Sequence, residues 1–164
     1  MPPVATATTS PPAPPSQEAP PPQPTSTNVG SSLTLRGYGA GAQIDVAVTN
    51  VFIAANPAND YSHPKAGHRW IAVELRITNS GQAIYDEYPG NDSHLIDAEG
   101  QQYDDTFQDV KEGVNLRDVT ITPGDSRKGV LVYEMPETAK PAKFQMAWDS
   151  VFGNAPGEWI ISQP

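Results

Sequence analysis

The stretch RWIAVELRITN, residues 69–79, alternates two kinds of side chain over most of its length. Large aliphatic residues occupy every second position: Ile71, Val73, Leu75 and Ile77. The positions between them hold Ala72, Glu74, Arg76 and Thr78. A period of two places each set on one face of a β-strand. The stretch therefore predicts a strand with one buried face and one exposed face, as in an antiparallel sheet.

Shorter segments repeat this pattern and are separated by clusters of Gly, Pro, Asn and Asp. In AQIDVAVTNVFI, residues 42–53, the alternation shifts phase at Asn50, which predicts a bulge. Further predicted strands cover residues 119–121, 129–135, 143–148 and 159–162. Short strands at such spacings are typical of all-β sandwiches. We predict an immunoglobulin-like antiparallel β-sandwich of about seven to nine strands.

The segment TPGDSRKGVLVYEMPE, residues 122–137, has the two spaced glycines of a phosphate-binding loop. Such a loop needs Lys and then Ser or Thr after its second glycine, followed by a helix. Here Val130 and Leu131 follow Gly129, and β-branched and aromatic residues come next. The segment instead predicts a turn at Pro123-Gly124 and a strand that ends at Pro136.

Residues 1–30 differ from the rest of the chain in composition. They hold ten of the eighteen prolines, and Glu18 is their one charged residue. A segment of Pro, Thr, Ser and Ala cannot bury an apolar face, and clustered prolines favour extended conformations. We therefore predict a disordered Pro-rich linker over residues 1–30, which tethers a sandwich domain over residues 31–164.

The chain carries a net charge of −9, and nearly all of its acidic residues lie beyond residue 30. An acidic surface repels nucleic-acid phosphates and anionic lipid headgroups, so we expect no nucleic-acid binding. The sequence contains no cysteine, which excludes disulfides, thiolate metal ligands and a cysteine nucleophile.

Low-complexity sequence follows directly after Met1, and no apolar run approaches the roughly 18 residues of a membrane span. We expect that a signal segment, ending in a lipid-bearing cysteine, preceded this sequence and was removed. On this expectation the protein is secreted or lipid-anchored at the cell surface. It would contact the membrane only through the removed lipid anchor.

Acidic residues cluster in and just after LIDAEGQQY, residues 95–103. The candidate calcium ligands are Asp97, Glu99, Asp104 and Asp105, since calcium prefers clustered oxygen ligands. The spacing differs from that of an EF-hand loop, because Gly100 falls at the fourth position and not at the sixth. The alternative is a plain β-hairpin with Gly100 in its turn.

The segment AIYDEYPGND, residues 83–92, interleaves tyrosines with acidic residues. Aromatic side chains supply much of the contact energy of protein interfaces. The candidate partner-binding residues are Tyr85, Asp86, Glu87 and Tyr88, joined by Tyr61 from another predicted loop. In the alternative interpretation the tyrosine rings pack over the end of the sandwich.

No sequence pattern indicates catalysis. The chain has no Gly-x-Ser-x-Gly motif, and its carboxylates occur in turn-like segments and not in an apolar setting that would raise a pKa. We therefore expect a protein that is not an enzyme, with no catalytic residues and no cofactor beyond the calcium ion considered above.

Three segments carry a family resemblance: GHRWIAVELRITNSGQAI (67–84), LIDAEGQQY (95–103) and ITPGDSRKGVLVYEMPE (121–137). In this order they resemble a family of bacterial extracellular immunoglobulin-like domains, catalogued as domain of unknown function 4352. The resemblance implies a sandwich outside the cytoplasmic membrane, similar in fold to a secreted immunogenic β-sandwich protein of mycobacteria. It implies no reaction, since the family has no agreed catalytic residues.

Together these observations predict a non-catalytic extracytoplasmic interaction module. Its expected partner is an unknown protein or a cell-envelope component, and the module is expected to be a monomer. One alternative is a carrier domain that binds a small ligand or calcium through its acidic loops. The weakest alternative is a hydrolase whose carboxylates converge in the fold.

Overall fold

The computed structural model describes residues 1–15, 25–149 and 155–162. Within these ranges the chain forms eleven strands and a 3-10 helix at Pro89–Asp92. The strands are β1 (Ser26–Asn28), β2 (Ser32–Arg36), β3 (Gln43–Phe52), β4 (His68–Asn79), β5 (Tyr85–Glu87), β6 (Ser93–Asp97), β7 (Gln102–Asp104), β8 (Val119–Ile121), β9 (Ser126–Pro136), β10 (Pro141–Met146) and β11 (Gly157–Ile160). The prediction of about seven to nine strands falls short of this number, because short strands such as β1 and β5 have only three residues each. β8 coincides with the predicted strand at residues 119–121.

Two sheets form the sandwich. One has the strand order β1-β11-β10-β6-β7 and the other the order β2-β3-β4-β9, while β5 and β8 form a separate two-stranded ribbon. The pairs are antiparallel except for β1 with β11. The predicted immunoglobulin-like β-sandwich is confirmed.

The inner face of β4 forms the centre of the core. Its four predicted inward residues, Ile71, Val73, Leu75 and Ile77, are completely buried. Across the sandwich, Tyr133 of β9 meets Phe144 of β10 edge to face, with ring centroids 6.2 Å apart. The predicted bulge is also present, because the register of β3 against β4 shifts between Val48 and Asn50.

The outer face of β4 is not fully exposed, which corrects the sequence prediction. A second apolar cluster lies on this face: Ala55, Trp70, Ala72, Val110, Val130 and Val132. Residues 105–118, between β7 and β8, cover this side, and the Thr106 amide donates to the Val132 carbonyl at 2.8 Å. A distant loop thus buries Ala72, which the local alternation placed in solvent.

The turn before β9 has the predicted form. The Asp125 amide donates to the Thr122 carbonyl at 3.0 Å, and Gly124 has a φ of 85°, which suits the third position of a type II turn. β9 begins at Ser126, three residues before the predicted start, because it pairs with β4 up to Thr78. It ends at Pro136, as predicted.

The described part of the predicted linker falls into two portions. Residues 1–15 are exposed and form no helix or strand. β1 pairs in parallel with β11, so Ser26–Asn28 belongs to the folded domain although the prediction placed the boundary at residue 30. Residues 16–24 of that linker lie outside the described residues. In the part of the chain that the structure describes, no helix has the length and apolarity of a membrane span.

Candidate ligand-binding cleft

The hairpin β6–β7 separates the predicted calcium ligands. Asp97 lies at the turn, whereas Asp104 lies opposite His94 at the other end of the hairpin. Asp97 is three residue steps along the extended strand from His94, a separation of roughly 10 Å. The acids that the sequence brings together are therefore held at two distinct places.

Asp97 organises the hairpin turn. Its Oδ1 accepts the amides of Glu99 and Gln101 at 3.0 and 2.9 Å, and its Oδ2 accepts the Tyr103 hydroxyl at 3.0 Å. Burial opposes ionisation of this carboxyl, but these donors outweigh burial and lower its pKa. The side chain serves as a turn residue, in agreement with the hairpin interpretation.

The remaining predicted calcium ligands also have other surroundings. Glu99 is exposed in the turn. Asp104 Oδ1 lies 2.9 Å from His94 Nδ1, within hydrogen-bonding distance. Asp105 belongs to the opposite end of the hairpin from Asp97. Among the described residues, no group of three or more His, Asp or Glu side chains is placed to hold a metal ion. The structure thus does not bring the four predicted ligands into one donor set.

Asp105 is largely enclosed beneath two aromatic residues. Its Oδ2 accepts the Tyr88 hydroxyl, and its Oδ1 accepts the Phe107 and Val132 amides at 3.1 and 3.3 Å. Burial raises the pKa of the carboxyl, and the backbone donors only partly oppose this rise. Both oxygens are engaged by these donors, so the carboxyl supports Tyr88 from below.

Phe107 lies over Tyr88 and faces solvent. The two rings are stacked, with centroids 4.7 Å apart and planes 17° from parallel. Tyr88 is 7% exposed, whereas Phe107 is 54% exposed. Phe107 also has a φ of 57°, in the left-handed region, which costs a side chain with a Cβ about 1–2 kcal/mol. The fold therefore holds an apolar ring outward at an energetic cost.

Two adjacent clefts open beside this ring pair. One, of about 240 Å³, is lined by Tyr88, Gly90, Asn91, His94, Asp104, Asp105 and Phe107. The other, of about 320 Å³, is lined by Tyr88, Asn91, Phe107, Arg117 and Asp118. We call the two together the aromatic cleft. Because Tyr88, Asn91 and Phe107 line both halves, the ring pair forms their shared wall.

Gly90 allows the wall of the aromatic cleft to close. A Cβ at this position would overlap both Asp105 Oδ2 and the ring of Tyr88. The 3-10 helix Pro89–Asp92 can therefore pass directly against the ring only with glycine here. The Pro-Gly pair of the sequence has a packing role at this point.

Two of the predicted partner-binding residues contact Trp148, Tyr85 from the interior and Glu87 from a partly buried position. Tyr85 is 1% exposed and meets Trp148 edge to face at 5.0 Å, so the prediction of a partner contact is wrong for its ring. Glu87 accepts the Trp148 Nε1–H at 3.0 Å. Burial raises the pKa of Glu87, and the negative charges of nearby Asp149 and Asp92 raise it further. The hydrogen bond from the Trp148 indole acts in the opposite direction and lowers this pKa.

The other predicted residues divide between surface and cleft. Tyr61 is 96% exposed but lines neither half of the aromatic cleft. Asp86 is exposed and accepts the Thr120 hydroxyl at 2.7 Å across the β5–β8 ribbon. Tyr88 is buried, as the alternative interpretation held, yet one side of its ring supports Phe107. Of the five predicted residues, only Tyr88 contributes to the cleft.

Sequence reasoning missed the other principal residues of the cleft: Asn91, Phe107, Arg117 and Asp118. Arg117 contacts Asp109 at 3.0 Å, and Asp118 is exposed. A sequence signal existed only for Phe107, an apolar residue in a polar segment with no strand pattern. Its neighbours across the cleft come from the distant 3-10 helix, which no local pattern reveals.

A larger cavity, of about 550 Å³, lies at the other end of the hairpin. Its lining includes Asp97, Glu99, Tyr103 and Lys140. Asp97 and Tyr103 bond to each other there, and the cavity has no outward-held apolar ring. The aromatic cleft is therefore the stronger candidate for ligand binding.

Solved structures share this fold at low sequence identity. MPT63, a secreted protein from Mycobacterium tuberculosis, is 15% identical with a TM-score of 0.59, covering 84% of this chain and 97% of that chain. YjhA from Bacillus subtilis is 16% identical with a TM-score of 0.56, covering 82% and 98%. YcdA from Bacillus subtilis, a candidate lipoprotein, is 13% identical with a TM-score of 0.54, covering 82% of this chain but only 39% of that chain. At these identities the likeness concerns the fold alone.

Family membership rests on the sequence itself. No curated protein has a sequence that matches this chain. The family model described as "Domain of unknown function (DUF4352)" matches residues 40–156, which include all of the strands from β3 to β10 and the whole aromatic cleft. This match confirms the resemblance that the three sequence segments carried. The chain belongs to the DUF4352 family of domains of unknown function.

Proposed function

We propose that this protein is a non-catalytic extracytoplasmic binding module and that the aromatic cleft is its binding site. The observation that carries the proposal is Phe107. Its ring is held in solvent at a positive φ, stacked on Tyr88 at the mouth of a cleft. Strained residues and exposed aromatic rings both concentrate at ligand sites.

The surroundings of the cleft favour binding over catalysis. A catalytic carboxyl needs a shifted pKa together with an oxygen directed at the substrate. Asp105 has the raised pKa, but both of its oxygens are engaged by Tyr88, Phe107 and Val132. Asp104 is 80% exposed at its side chain and pairs with His94. Neither carboxyl combines the two properties.

The extracytoplasmic location draws support from the fold neighbours. MPT63 is a secreted protein, and YcdA is a candidate lipoprotein. The Pro-rich composition of residues 1–30 suits a tether between such a domain and a cell surface. Fractionation of the source cells, with detection by an antibody against the domain, tests this directly. Recovery in the cytoplasmic fraction alone would contradict the proposed location.

A retention experiment tests the binding site. The full chain and its Phe107→Ala variant are immobilised and exposed to solubilised cell-envelope extract, and the retained material is quantified. We expect the variant to lose most of the retained ligand, because the ring wall of the cleft is gone. Tyr38→Ala, at an exposed aromatic residue outside the cleft, is the matched control and should retain the ligand.

A third variant distinguishes binding at the aromatic cleft from binding at the loop around Tyr61. Tyr61→Ala removes the most exposed of the tyrosines that the sequence proposed as partner contacts. If Tyr61→Ala loses the ligand while Phe107→Ala retains it, the binding site is the loop around Tyr61. Equal retention by all variants would remove both loops as binding sites.

A further inference from the structure

We propose that the aromatic cleft binds the cationic side chain of a basic peptide, arginine above lysine, with Phe107 as the ring against which the cation stacks. This inference rests on the proposed function and adds the chemistry of the ligand. Three features of the cleft carry it: an exposed ring face, an excess of carboxylates around that face, and a cation at its rim that is already paired with a carboxylate.

The exposed ring supplies a surface that a cation recognises. Phe107 stacks on Tyr88 through one face, which leaves its other side toward solvent, with 54% of the residue exposed. The ring quadrupole attracts a cation over the face, and a guanidinium also matches the ring in shape because it is planar. An aliphatic ligand would gain only from contact area at this position.

The charges lining the cleft favour a cation over an anion. Three carboxylates line the two halves, from Asp104, Asp105 and Asp118. The one guanidinium, from Arg117, donates to both carboxylate oxygens of Asp109 at 3.0 and 3.1 Å. The Asp109 carboxylate therefore offsets part of this charge before a ligand arrives. The net charge of −9 on the whole chain adds a long-range attraction for basic partners.

Asp118 is the carboxylate best placed to pair with the incoming cation. It is exposed, and within the described ranges it has no ion pair or side-chain hydrogen bond. Asp104 already pairs with His94, and Asp105 supports Tyr88. A guanidinium that stacks on Phe107 can thus gain a carboxylate partner in the half of the cleft that Phe107 and Asp118 share.

The test uses a short acetylated peptide with two arginines between glycines, and the same peptide with citrulline in place of arginine. Citrulline has nearly the same shape as arginine but no charge. Binding to the full chain is followed by chemical-shift perturbation of the isotope-labelled protein at low salt. We expect the arginine peptide to shift the amides of Asn91, Phe107 and Asp118, and the citrulline peptide to shift none of them.

Two variants separate stacking from general charge attraction. Phe107→Leu keeps the apolar contact and every charge but removes the ring, and should weaken arginine-peptide binding about three- to fivefold. Asp118→Asn keeps the ring and should weaken binding by a similar factor. Added salt should abolish this difference between the variant and the unmodified protein, because it screens the charge attraction. Tyr38→Ala is the control and should bind as the unmodified chain does.

Three results would overturn the inference. Unchanged affinity in Phe107→Leu, shifts spread over the whole acidic surface, or equal binding of the citrulline peptide would each remove the cation-stacking site. A neutral oligosaccharide that shifts the Phe107 amide, when the arginine peptide does not, would assign a sugar as the ligand. In that case the inference fails while the proposed binding function stands. The proposed binding site itself fails when Phe107→Ala retains the envelope ligand.

Discussion

Asp97 and Asp105 lie at opposite ends of one hairpin and meet opposite surroundings. Asp97 sits in the turn, where two amides and the Tyr103 hydroxyl lower its pKa despite burial. Asp105 sits beneath Tyr88, where burial raises its pKa despite the backbone donors. The balance between burial and donors, and not the residue type, sets the direction of each shift.

This difference separates a structural end of the hairpin from a candidate functional end. At the turn, the polar groups of Asp97 and Tyr103 satisfy each other. At the opposite end, Asp105 and Tyr88 support Phe107, whose ring is left in solvent. Substitutions along this line should therefore change stability most at the supporting residues and least at the exposed ring.

Tyr88→Ala should have the largest effect. The ring packs in the main core cluster at 7% exposure, and loss of a buried aromatic side chain costs about 3–5 kcal/mol of unfolding free energy. Urea denaturation measures this loss. The control is Tyr61→Ala, which should fall within about 0.5 kcal/mol of the unmodified protein because that ring is exposed. An unchanged urea midpoint in Tyr88→Ala would place the ring outside the core.

Asp105→Asn should have the next largest effect. The amide cannot accept all the donors that the carboxylate accepts, and a buried unsatisfied donor costs about 1–3 kcal/mol. The loss of stability should be smaller at neutral pH than at acidic pH. At neutral pH, ionisation of the partly buried Asp105 carboxyl already costs the unmodified protein stability, and the uncharged amide has no such cost.

The contribution of Asp105 to the unfolding free energy should depend on pH, and it should increase as pH falls. Its folded-state pKa is raised above the unfolded value of about 3.9, so the cost of ionisation is present at high pH. As pH falls through the folded-state pKa this cost disappears, and the contribution of Asp105 to stability rises. Melting curves of the unmodified protein and Asp105→Asn at stepped pH should show this rise only in the former. A parallel pH profile in both would contradict the raised pKa.

Asp97→Ala should have a smaller effect, with Asp97→Asn as its matched control. The turn amides that Asp97 accepts come from exposed residues, so water can replace part of the loss. We expect Asp97→Ala to lower the melting temperature by several degrees, and Asp97→Asn by less because its amide oxygen can still accept both amides.

The pH sign at Asp97 is opposite to that at Asp105. Its folded-state pKa is lowered, so its stabilisation is complete above the unfolded value of about 3.9. That stabilisation is lost as pH falls through the folded-state pKa, and Asp97→Ala should lack this acid-dependent loss. If Asp97→Ala and the unmodified protein lose stability in parallel below pH 4, other carboxylates govern the acid transition.

The sequence predicted the sandwich because strand period is a local property. The alternation in β4 and the phase shift at Asn50 both appear in the structure, as does the end of β9 at Pro136. Burial of Ala72 was not predictable, because the covering residues 105–118 come from elsewhere in the chain. The local sequence pattern predicts which side chains share a face of a strand, whereas tertiary packing determines whether that face is buried.

Most residues of the candidate cleft could not be predicted from the sequence, because the cleft is also formed by segments that are distant in the chain. Tyr85 and Tyr88 share one segment, yet Tyr85 packs on Trp148 and Tyr88 beneath Phe107. The positive φ of Phe107 was not predictable either, because phenylalanine seldom adopts the left-handed region. The sequence indicated tyrosines near acids, but the exposed ring is a phenylalanine about twenty residues further along.

Phe107→Gly should have the smallest effect on stability. Loss of the stack on Tyr88 costs about 0.5–1.5 kcal/mol, while glycine removes the strain at φ 57°, worth about 1–2 kcal/mol. The two contributions nearly cancel, so the unfolding free energy should change by less than about 1 kcal/mol. Phe107→Ala loses the same stack but keeps the strain, and should therefore be less stable than Phe107→Gly in urea denaturation. If Phe107→Ala is instead the more stable of the two, the positive φ is not a strained state, and Phe107 is held outward by its contact with Tyr88 alone.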